Sequence, residues 1–310
     1  MKLSLCIPTF NEEKNIHYPL DSAYDLADEV ILIDAGSTDK TVEIAKSYGE
    51  KIKVFIVDNP KNFLINKQRA IEKSTGEWIL QLDADEALSE ELKKEILNIF
   101  EIQKGARTFE VEEERSDGKT SEVNENMIIG YNIPRKNWFL TRFLMKGGVY
   151  PDYVLRLYKR ECAHFNLEHL HENVVLDCCH SGDSASRRMS PESLSNNTGS
   201  ETSEVNDRQI GYLKNPILHY ADPDFSRYLT RWNRYTSFDA EKLAKEKKNL
   251  GFWDFINYFV IKPKVWFFMT YFRHKGFMDG FPGFIFSLFS AIRFWTIFIK
   301  AWNINKTEKV

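Results

Sequence analysis

Residues 77–86 read Glu77-Trp78-Ile79-Leu80-Gln81-Leu82-Asp83-Ala84-Asp85-Glu86, an apolar run that stops at three carboxylates. A short apolar segment entered from a turn at Gly76 has the pattern of a buried strand, which sets the acids at its carboxyl end. In open α/β sheets ligands bind along that edge. Two aspartates with one residue between them can arrange oxygens around a divalent cation that also holds a diphosphate. The same residues also suit a solvated strand-to-helix turn, with Ser89 capping the helix that follows. On this stretch alone both readings stand, and the flanking sequence has to separate them.

Working outward, residues 3–7 are apolar and stop at Pro8, residues 30–33 stop at Asp34, residues 52–57 at Asp58, and residues 79–82 at Asp83. Helical patterns lie between them. Residues 41–48 end at Gly49 and residues 64–73 end just before Gly76, as helix C-termini often do. Strands alternating with helices predict an α/β fold with a mostly parallel sheet. Three of these strands run directly into an aspartate. Such a row of acids repels itself unless cations, hydrogen-bond donors or a ligand offset it, so the pattern points to a site.

Composition limits the classes. The 310 residues suffice for one large domain with additions, or for two domains. The net charge of −3, with both signs interspersed, gives no nucleic-acid surface. Four cysteines (Cys6, Cys162, Cys178 and Cys179) show neither zinc spacing nor a disulfide framework, which fits a reducing cytosol. Met1-Lys2 leads straight into a strand-like segment, so no signal peptide is expected.

Residues 105–127 and 181–208 are polar and read as insertions. Strands are expected at Tyr131-Asn132-Ile133-Pro134 and over residues 153–158. A helix begins after Asp224, with Phe225, Tyr228, Leu229, Trp232 and Tyr235 at helical spacing. The expected organisation is a sheet-bearing domain over 1–222 and a helical extension over 223–310. In the extension, residues 252–272 and 281–302 are crowded with aromatics and interrupted by Lys262, Lys264, Arg273, Lys275, Arg293 and Lys300. The second stretch has the length of a membrane span, about 20 residues. A central Arg293, at roughly 2.5–3.5 kcal/mol to insert, disfavours spanning. The remaining readings are a helix lying in a membrane interface, aromatics inward and cations toward headgroups, and an aromatic-rich helix packed on the protein itself.

Ile7-Pro8-Thr9-Phe10-Asn11-Glu12, then Leu32-Ile33-Asp34-Ala35-Gly36-Ser37-Thr38-Asp39, then Leu82-Asp83-Ala84-Asp85-Glu86 together resemble a family 2 glycosyltransferase of the GT-A fold. Gly147-Gly148-Val149-Tyr150-Pro151-Asp152-Tyr153, Leu155-Arg156-Leu157-Tyr158, His171-Glu172, Leu218-His219-Tyr220 and Gly276-Phe277-Met278-Asp279-Gly280 resemble the bacterial lipopolysaccharide-core β-1,4-glucosyltransferase-like branch. The resemblance covers nearly the whole chain apart from the two polar stretches.

That resemblance implies an inverting transfer of a hexose, glucose above all, from a UDP-sugar to a lipid-linked or cell-surface glycan such as a lipopolysaccharide core. The enzyme would work at the cytoplasmic face of the cell membrane, with peripheral contact through the C-terminal helices. Pro8, Thr9, Asn11 and Glu12 would hold the nucleoside, and Asp34 would accept from the uracil N–H. The alternative for Asp34 is an acid capping the following turn. Lys67 sits where the family often has an arginine facing the diphosphate, and its alternative is a solvated helix residue. Asp85 would ligate Mg²⁺ or Mn²⁺ while Asp83 contacts ribose or a metal-bound water. His219 would complete the metal shell, or else be a packed histidine beside Tyr220.

Glu172 is the first choice for the base that takes the acceptor's proton, and Asp152 the second. Trp138 and Phe139, with Arg142 and Lys146, form a candidate acceptor-side surface. No Gly-x-Ser-x-Gly elbow or P-loop is present, which removes hydrolase and NTPase readings. A sugar-phosphate nucleotidyltransferase and a non-catalytic binding protein on the same scaffold remain as rivals.

Overall fold

The computed structural model describes residues 2–60, 62–104, 128–166, 174–176 and 210–307. Glu172, Cys178, Cys179 and both polar insertions lie outside the described residues. The chain divides into two compact units, Met1–Ile133 with Val154–Pro216, and Pro134–Tyr153 with Ile217–Val310.

The first unit opens with β1 (Leu3–Thr9), α1 (His17–Ala23), β2 (Glu29–Asp34), α2 (Thr41–Lys46) and β3 (Ile52–Ile56). It continues with α3 (Leu64–Lys73), β4 (Trp78–Gln81), β5 (Glu86–Leu88) and α4 (Glu90–Lys104). Strand β6 (Gly130–Phe139) begins there and ends in the second unit, where β7 (Arg142–Phe143) follows. Strand β8 (Asp152–Lys159) returns to the first unit, which closes with β9 (Ala163–Phe165), β10 (Val174–Leu176) and β11 (Ile210–Tyr212). The second unit resumes with β12 (Ile217–Asp222), α5 (Phe225–Glu246), α6 (Phe252–Ile256), α7 (Lys262–Phe267) and α8 (Gly280–Thr307).

The four expected strands of the first hundred residues form, in the order β3-β2-β1-β4 and all parallel. Every residue of β2 and β4 is buried, as befits a parallel sheet covered on both faces. Cys6, Ile31, Ile33 and Ile79 pack against Leu64, Ala70 and Ile71 of α3 on one side of it. Strand β8 adds to β4 antiparallel, pairing Trp78 with Lys159 and Leu80 with Leu157. Register fixes the edge: Thr9 lies opposite Asp34 and Cys6 opposite Gln81. Parallel strands share a direction, so the loops after β1, β2 and β4 emerge on one side. Ser89 caps α4 as expected, its Oγ accepting from the Leu92 N–H at 3.2 Å.

The opposite edge is tied by a buried carboxylate. Glu29 accepts from Ser4 Oγ (2.7 Å), from Thr75 N–H (2.6 Å) and Oγ1 (2.8 Å), and from Lys53 Nζ (2.6 Å). One side chain thereby links the starts of β1 and β2, strand β3 and the turn into β4. That turn needs glycine, since a Cβ on Gly76 would stand 2.5 Å from Ser4 Oγ.

In the second unit β6 and β7 form a hairpin, Trp138 opposite Phe143, with Leu140 at φ 57° in the turn. Strand β6 extends beyond the expected segment, through Pro134. The proline is tolerated because pairing with β11 ends at Asn132 and pairing with β12 begins at Arg135. Asp224 caps α5, accepting from the Arg227 N–H at 2.8 Å. Ala240, Leu243 and Ala244 of α5 pack on Ile297 and Ala301 of α8.

Residues 252–273 form α6 and α7 interrupted by π-helical turns at Asn257–Ile261 and Phe268–Arg273. The Gly276–Gly280 motif has a structural job. Asp279, 2% exposed, accepts from the Met145 and Lys146 N–H groups at 3.0 and 2.7 Å and so anchors the loop that contains Gly147 and Gly148. A Cβ on Gly283 would collide with the Gly276 carbonyl oxygen.

Gly276–Thr307 is long and apolar enough to cross a membrane by length and composition. Arg293 within it is half-buried and lies over the rings of Trp266 and Phe294, 4.7 and 5.0 Å from their centroids. Lys300 donates to Asn233, Thr236 and Ser237 of α5. These two cations are therefore internal to the unit.

Burial alone would raise the Glu29 pKa from the usual 4.5, but its bonds to Lys53, Ser4 and Thr75 bring it down to about 2. A carboxylate whose folded pKa is depressed stabilises above its unfolded value and loses that contribution as pH falls through the folded one. Glu29→Gln is expected to cost about 1–3 kcal/mol at pH 7. In urea titrations the gap from the parent should narrow between pH 4.5 and about 2.

Candidate active site

The loops after β1 and β2 are laced together by side chains from both. Asp34 is 1% exposed, and its two oxygens take four hydrogen bonds. Oδ1 accepts from Thr9 Oγ1 (3.2 Å) and Ser37 Oγ (2.5 Å), and Oδ2 from the N–H groups of Gly36 (3.1 Å) and Ser37 (2.8 Å). Gly36 adopts φ 78°, which glycine alone takes without strain. From the other loop, Asn11 at φ 55° accepts from the Thr38 N–H at 2.8 Å and donates its own N–H to Ser37 Oγ at 2.8 Å. The Glu12 N–H donates to Thr41 Oγ1 at 2.8 Å. Asp39, just before α2, accepts from the Thr41 N–H at 3.0 Å. Asp34 thus shapes the turn before α2 while Asp39 holds the first residue of the helix. The product is a rigid rim, with Thr9 buried, Pro8 and Glu12 half-buried and Asn11 exposed.

Beyond β4 the charges close into a buried cluster. Lys67 Nζ lies 2.8 Å from Asp83 Oδ1, and Arg156 Nη2 lies 2.7 Å from Asp83 Oδ2 and 2.9 Å from Glu86 Oε1. Glu86 Oε2 accepts the Asp83 N–H at 3.0 Å. Two cations face two carboxylates, and Lys67, Arg156 and Glu86 are 4% exposed or less. The reading of Lys67 as a solvated helix residue is corrected here: its side chain is 2% exposed. Spacing carried the signal, because Lys67 lies three residues after Leu64 and four before Ile71 and shares their buried face.

Arg156 and Glu86 carry no role in the sequence pattern by itself. The antiparallel register explains the reach of Arg156. Ile79 pairs with Tyr158, and the Tyr158 hydroxyl donates diagonally to Gln81 at 2.8 Å. Arg156, two residues earlier on the same face, repeats that diagonal step to Asp83. No local motif announces this, since it depends on which strand pairs with β4. Asp85 follows two residues after Asp83, half-buried. Asp58, the third acid of the expected row, is instead an exposed partner of Arg69, at 2.7 Å.

The second unit gathers a different set. Asp152 Oδ2 accepts from Arg135 Nε at 3.0 Å and Nη2 at 2.8 Å, and from Asn137 Nδ2 at 3.4 Å. Asn137 Oδ1 lies 2.7 Å from His219 Nδ1. His219 is half-buried and tied to Asn137. Of the candidate acceptor surface, Phe139 is withdrawn: it is 2% exposed and packs edge-on against Tyr228 and Phe286. Trp138 meets Phe143 edge-on and Tyr220 at a tilt. Arg142 is exposed, 3.7 Å from Asp279 Oδ1.

Among the described residues no three His, Cys, Asp or Glu side chains gather into a metal cage. A hard cation taking most of its oxygens from a diphosphate and water needs few protein ligands. The half-buried carboxylate of Asp85, at the ligand edge of the sheet, fits that requirement. The imidazole of His219, 2.7 Å from Asn137 Oδ1 through its Nδ1, is a side chain of the type that ligates such ions.

The sequence signature of Glycosyl transferase family 2 matches residues 4–162. The chain is 28% identical over 293 residues to an uncharacterized glycosyltransferase, RT0209, of Rickettsia typhi, covering 94% of this chain and 83% of that one. It is 22% identical over 296 residues to the lipopolysaccharide core biosynthesis glycosyltransferase LpsC of Rhizobium meliloti, covering 94% and 88%. Among solved structures it is similar to S. aureus TarS 1–349 in complex with UDP-GlcNAc, at 16% identity and a TM-score of 0.43, over 95% of this chain and 81% of that one.

Removing one partner of a buried ion cluster leaves uncompensated charge in a dry site. Arg156→Met should therefore cost about 3–5 kcal/mol in urea unfolding. Asp58→Asn, which breaks an exposed pair, should cost less than about 1 kcal/mol.

Proposed function

Since the chain belongs to glycosyl transferase family 2 and is a glycosyltransferase, we propose that it is an inverting, metal-assisted enzyme moving a hexose, glucose above all, from a UDP-sugar to a lipid-linked glycan such as a lipopolysaccharide core. The observation that carries this reading is the placement of Asp83 and Asp85. They lie at the carboxyl end of β4, on the edge where the cross-bonded loops of Thr9–Glu12 and Asp34–Asp39 also emerge. The name of LpsC supports the acceptor class, as do the motifs quoted above.

In this reading Pro8, Thr9, Asn11 and Glu12 hold the nucleoside, and Asp34, besides shaping its loop, contributes the acid beside the base. Asp83 accepts from ribose, or from a metal-bound water, with its carboxylate braced by Arg156 and by Lys67, which also supplies positive charge on the diphosphate side. Asp85 and His219 would hold Mg²⁺ or Mn²⁺. A bound ion supplies Lewis-acid stabilisation of the departing nucleoside diphosphate. The acceptor hydroxyl attacks the anomeric carbon, its bond to the diphosphate oxygen breaks, and the hydroxyl proton passes to Glu172. Asp152, whose Oδ2 is occupied by Arg135 and Asn137, presents Oδ1 to acceptor hydroxyls and is the alternative base.

The membrane contact is read from the corner between α7 and α8. Phe268, Phe272, Phe277, Met278 and Phe281 are exposed there beside exposed Lys264, Arg273 and Lys275. Apolar rings flanked by cations suit an anionic lipid surface, which supports a peripheral place at the cytoplasmic face.

In a screen of nucleotide sugars with Mn²⁺, UDP release should identify the donor. Asp85→Ala should lower turnover at least 100-fold and abolish metal-dependent donor binding, while Glu172→Gln keeps donor binding and loses transfer. Turnover surviving Asp85→Ala refutes the metal assignment, and pyrophosphate release from an NTP and a sugar phosphate would mark a nucleotidyltransferase. For the membrane contact, flotation should show binding to vesicles containing phosphatidylserine and not to neutral ones. At about 1 kcal/mol per cation, Arg273→Gln with Lys275→Gln should weaken it roughly 30-fold. Binding unchanged by that pair removes this corner from the interface.

A further inference from the structure

Residues 252–273 of the second unit run as one helical rod through α6, a π turn, α7 and a second π turn. Exposure along the rod recurs every four residues. Phe252, Val260, Lys264, Phe268 and Phe272 are exposed, and Ile256 is half-buried. The adjacent row, one residue on, repeats this from Trp253 to Arg273, with Asn257 half-buried. A plain α-helix cannot keep such a row. Four residues overshoot a turn by about 40°, so Phe272 would lie about 200° round the rod from Phe252. Yet both face outward, at 51% and 68% exposed. The π turns account for it, because each takes in one additional residue and returns about 100°. Their wider bonds run from the Lys262 N–H to the Asn257 carbonyl and from the His274 N–H to the Met269 carbonyl.

Side chains support both turns. Pro263 has no N–H to offer the Phe259 carbonyl four residues back, and that carbonyl accepts from the Trp295 indole of α8 at 3.0 Å. In the second turn Thr270 Oγ1 donates to the Trp266 carbonyl at 2.9 Å. Pro263 and Thr270 are themselves buried, on the other side of the rod from the exposed rows.

We infer that the two π turns make residues 252–273 a straight lipid-binding face, which lies along an anionic bilayer with both exposed rows at the headgroup–acyl boundary. This rests on the membrane contact proposed above and extends it from the α7–α8 corner to the whole rod. A row that wound round its helix would put one end in lipid and the other in water; a straight one is immersed along its length. Charge names the occupant. From residue 255 to 278 the chain carries Lys262, Lys264, Arg273 and Lys275 and no Asp or Glu. The acids at either end are engaged, Asp254 by Lys247 and the Gly251 N–H, and buried Asp279 by the Met145 and Lys146 N–H groups. Long exposed apolar rows mark an interaction surface, and rows whose only charges are cations match anionic lipid.

Depth along the row is the test. Nitroxide labels go on Phe252→Cys, Val260→Cys, Phe268→Cys or Phe272→Cys in full-length protein carrying Cys162→Ser, Cys178→Ser and Cys179→Ser, with buried Cys6 kept. Power-saturation electron paramagnetic resonance, with oxygen and a nickel chelate, compares each label with and without vesicles of phosphatidylserine and phosphatidylcholine. All four labels should become immersed. In flotation, Val260→Glu with Ile261→Glu, in the middle of the rows and outside the corner, should weaken binding to those vesicles roughly 30-fold at about 1 kcal/mol per charge. A label at 252 that stays in water while that at 272 is immersed overturns the straight face and leaves the corner contact standing. So does flotation unchanged by the two glutamates. A parent that does not float on these vesicles removes the inference and the proposed contact together. A dimer in sedimentation whose row labels are shielded without vesicles overturns it in favour of a second copy. Circular dichroism checks the glutamate variant, and the label series decides if that variant does not fold.

Discussion

The carboxylate of Asp83, held between buried Lys67 and Arg156, is the interaction on which the first unit's site depends. Burying Lys67, Arg156 and Glu86 beside a half-buried Asp83 is costly, and it succeeds only when each charge has a near partner and the geometry is good. Three elements meet in it. Helix α3 supplies Lys67, the end of β4 supplies Asp83, and β8 supplies Arg156, which also reaches Glu86 in β5. Moving any one of these elements would leave a buried charge without its partner. The cluster therefore does locally what a hydrophobic core does not: it fixes the sheet edge to specific atoms.

The two edges of the parallel sheet use carboxylates differently. Glu29 and its partners sit where the strands begin, a buried knot with no group turned to a ligand. Asp34 and Asp83 sit where the strands end, and there the surrounding loops carry exposed polar residues such as Asn11 and Thr38. Asp34 serves both purposes, since its bonds to Thr9, Gly36 and Ser37 give the rim its shape. A site of this kind is preorganised before any ligand arrives, which limits the ordering cost of binding.

The second unit shows how motifs that look functional divide on folding. The Gly276–Gly280 segment turns out to be architectural, with Asp279 anchoring backbone amides and Gly283 clearing a carbonyl. Phe139 became core by pointing at Tyr228, whereas Trp138, one residue earlier and on the opposite face of β6, did not. Arg293, which on sequence is a charge inside an apolar helix, is covered by the faces of Trp266 and Phe294. An arginine can be accommodated this way because its weakly hydrated plane stacks on aromatic rings.

Sequence by itself determined the alternation of strands and helices, the parallel first sheet, the edge to which Thr9, Asp34, Asp83 and Asp85 belong, and the family. Each of these follows from local periodicity and from residues close together in the chain, and local interactions need no knowledge of the fold. Pairings between distant strands were not readable. Arg156 reaches Asp83 only because β8 runs antiparallel beside β4 in one register, and Asn137 reaches His219 only because β12 pairs with β6. A side chain's partner across a sheet is set by register, and register is a property of the assembled sheet. So the chain declared its acids, and the tertiary structure decided which cations hold them.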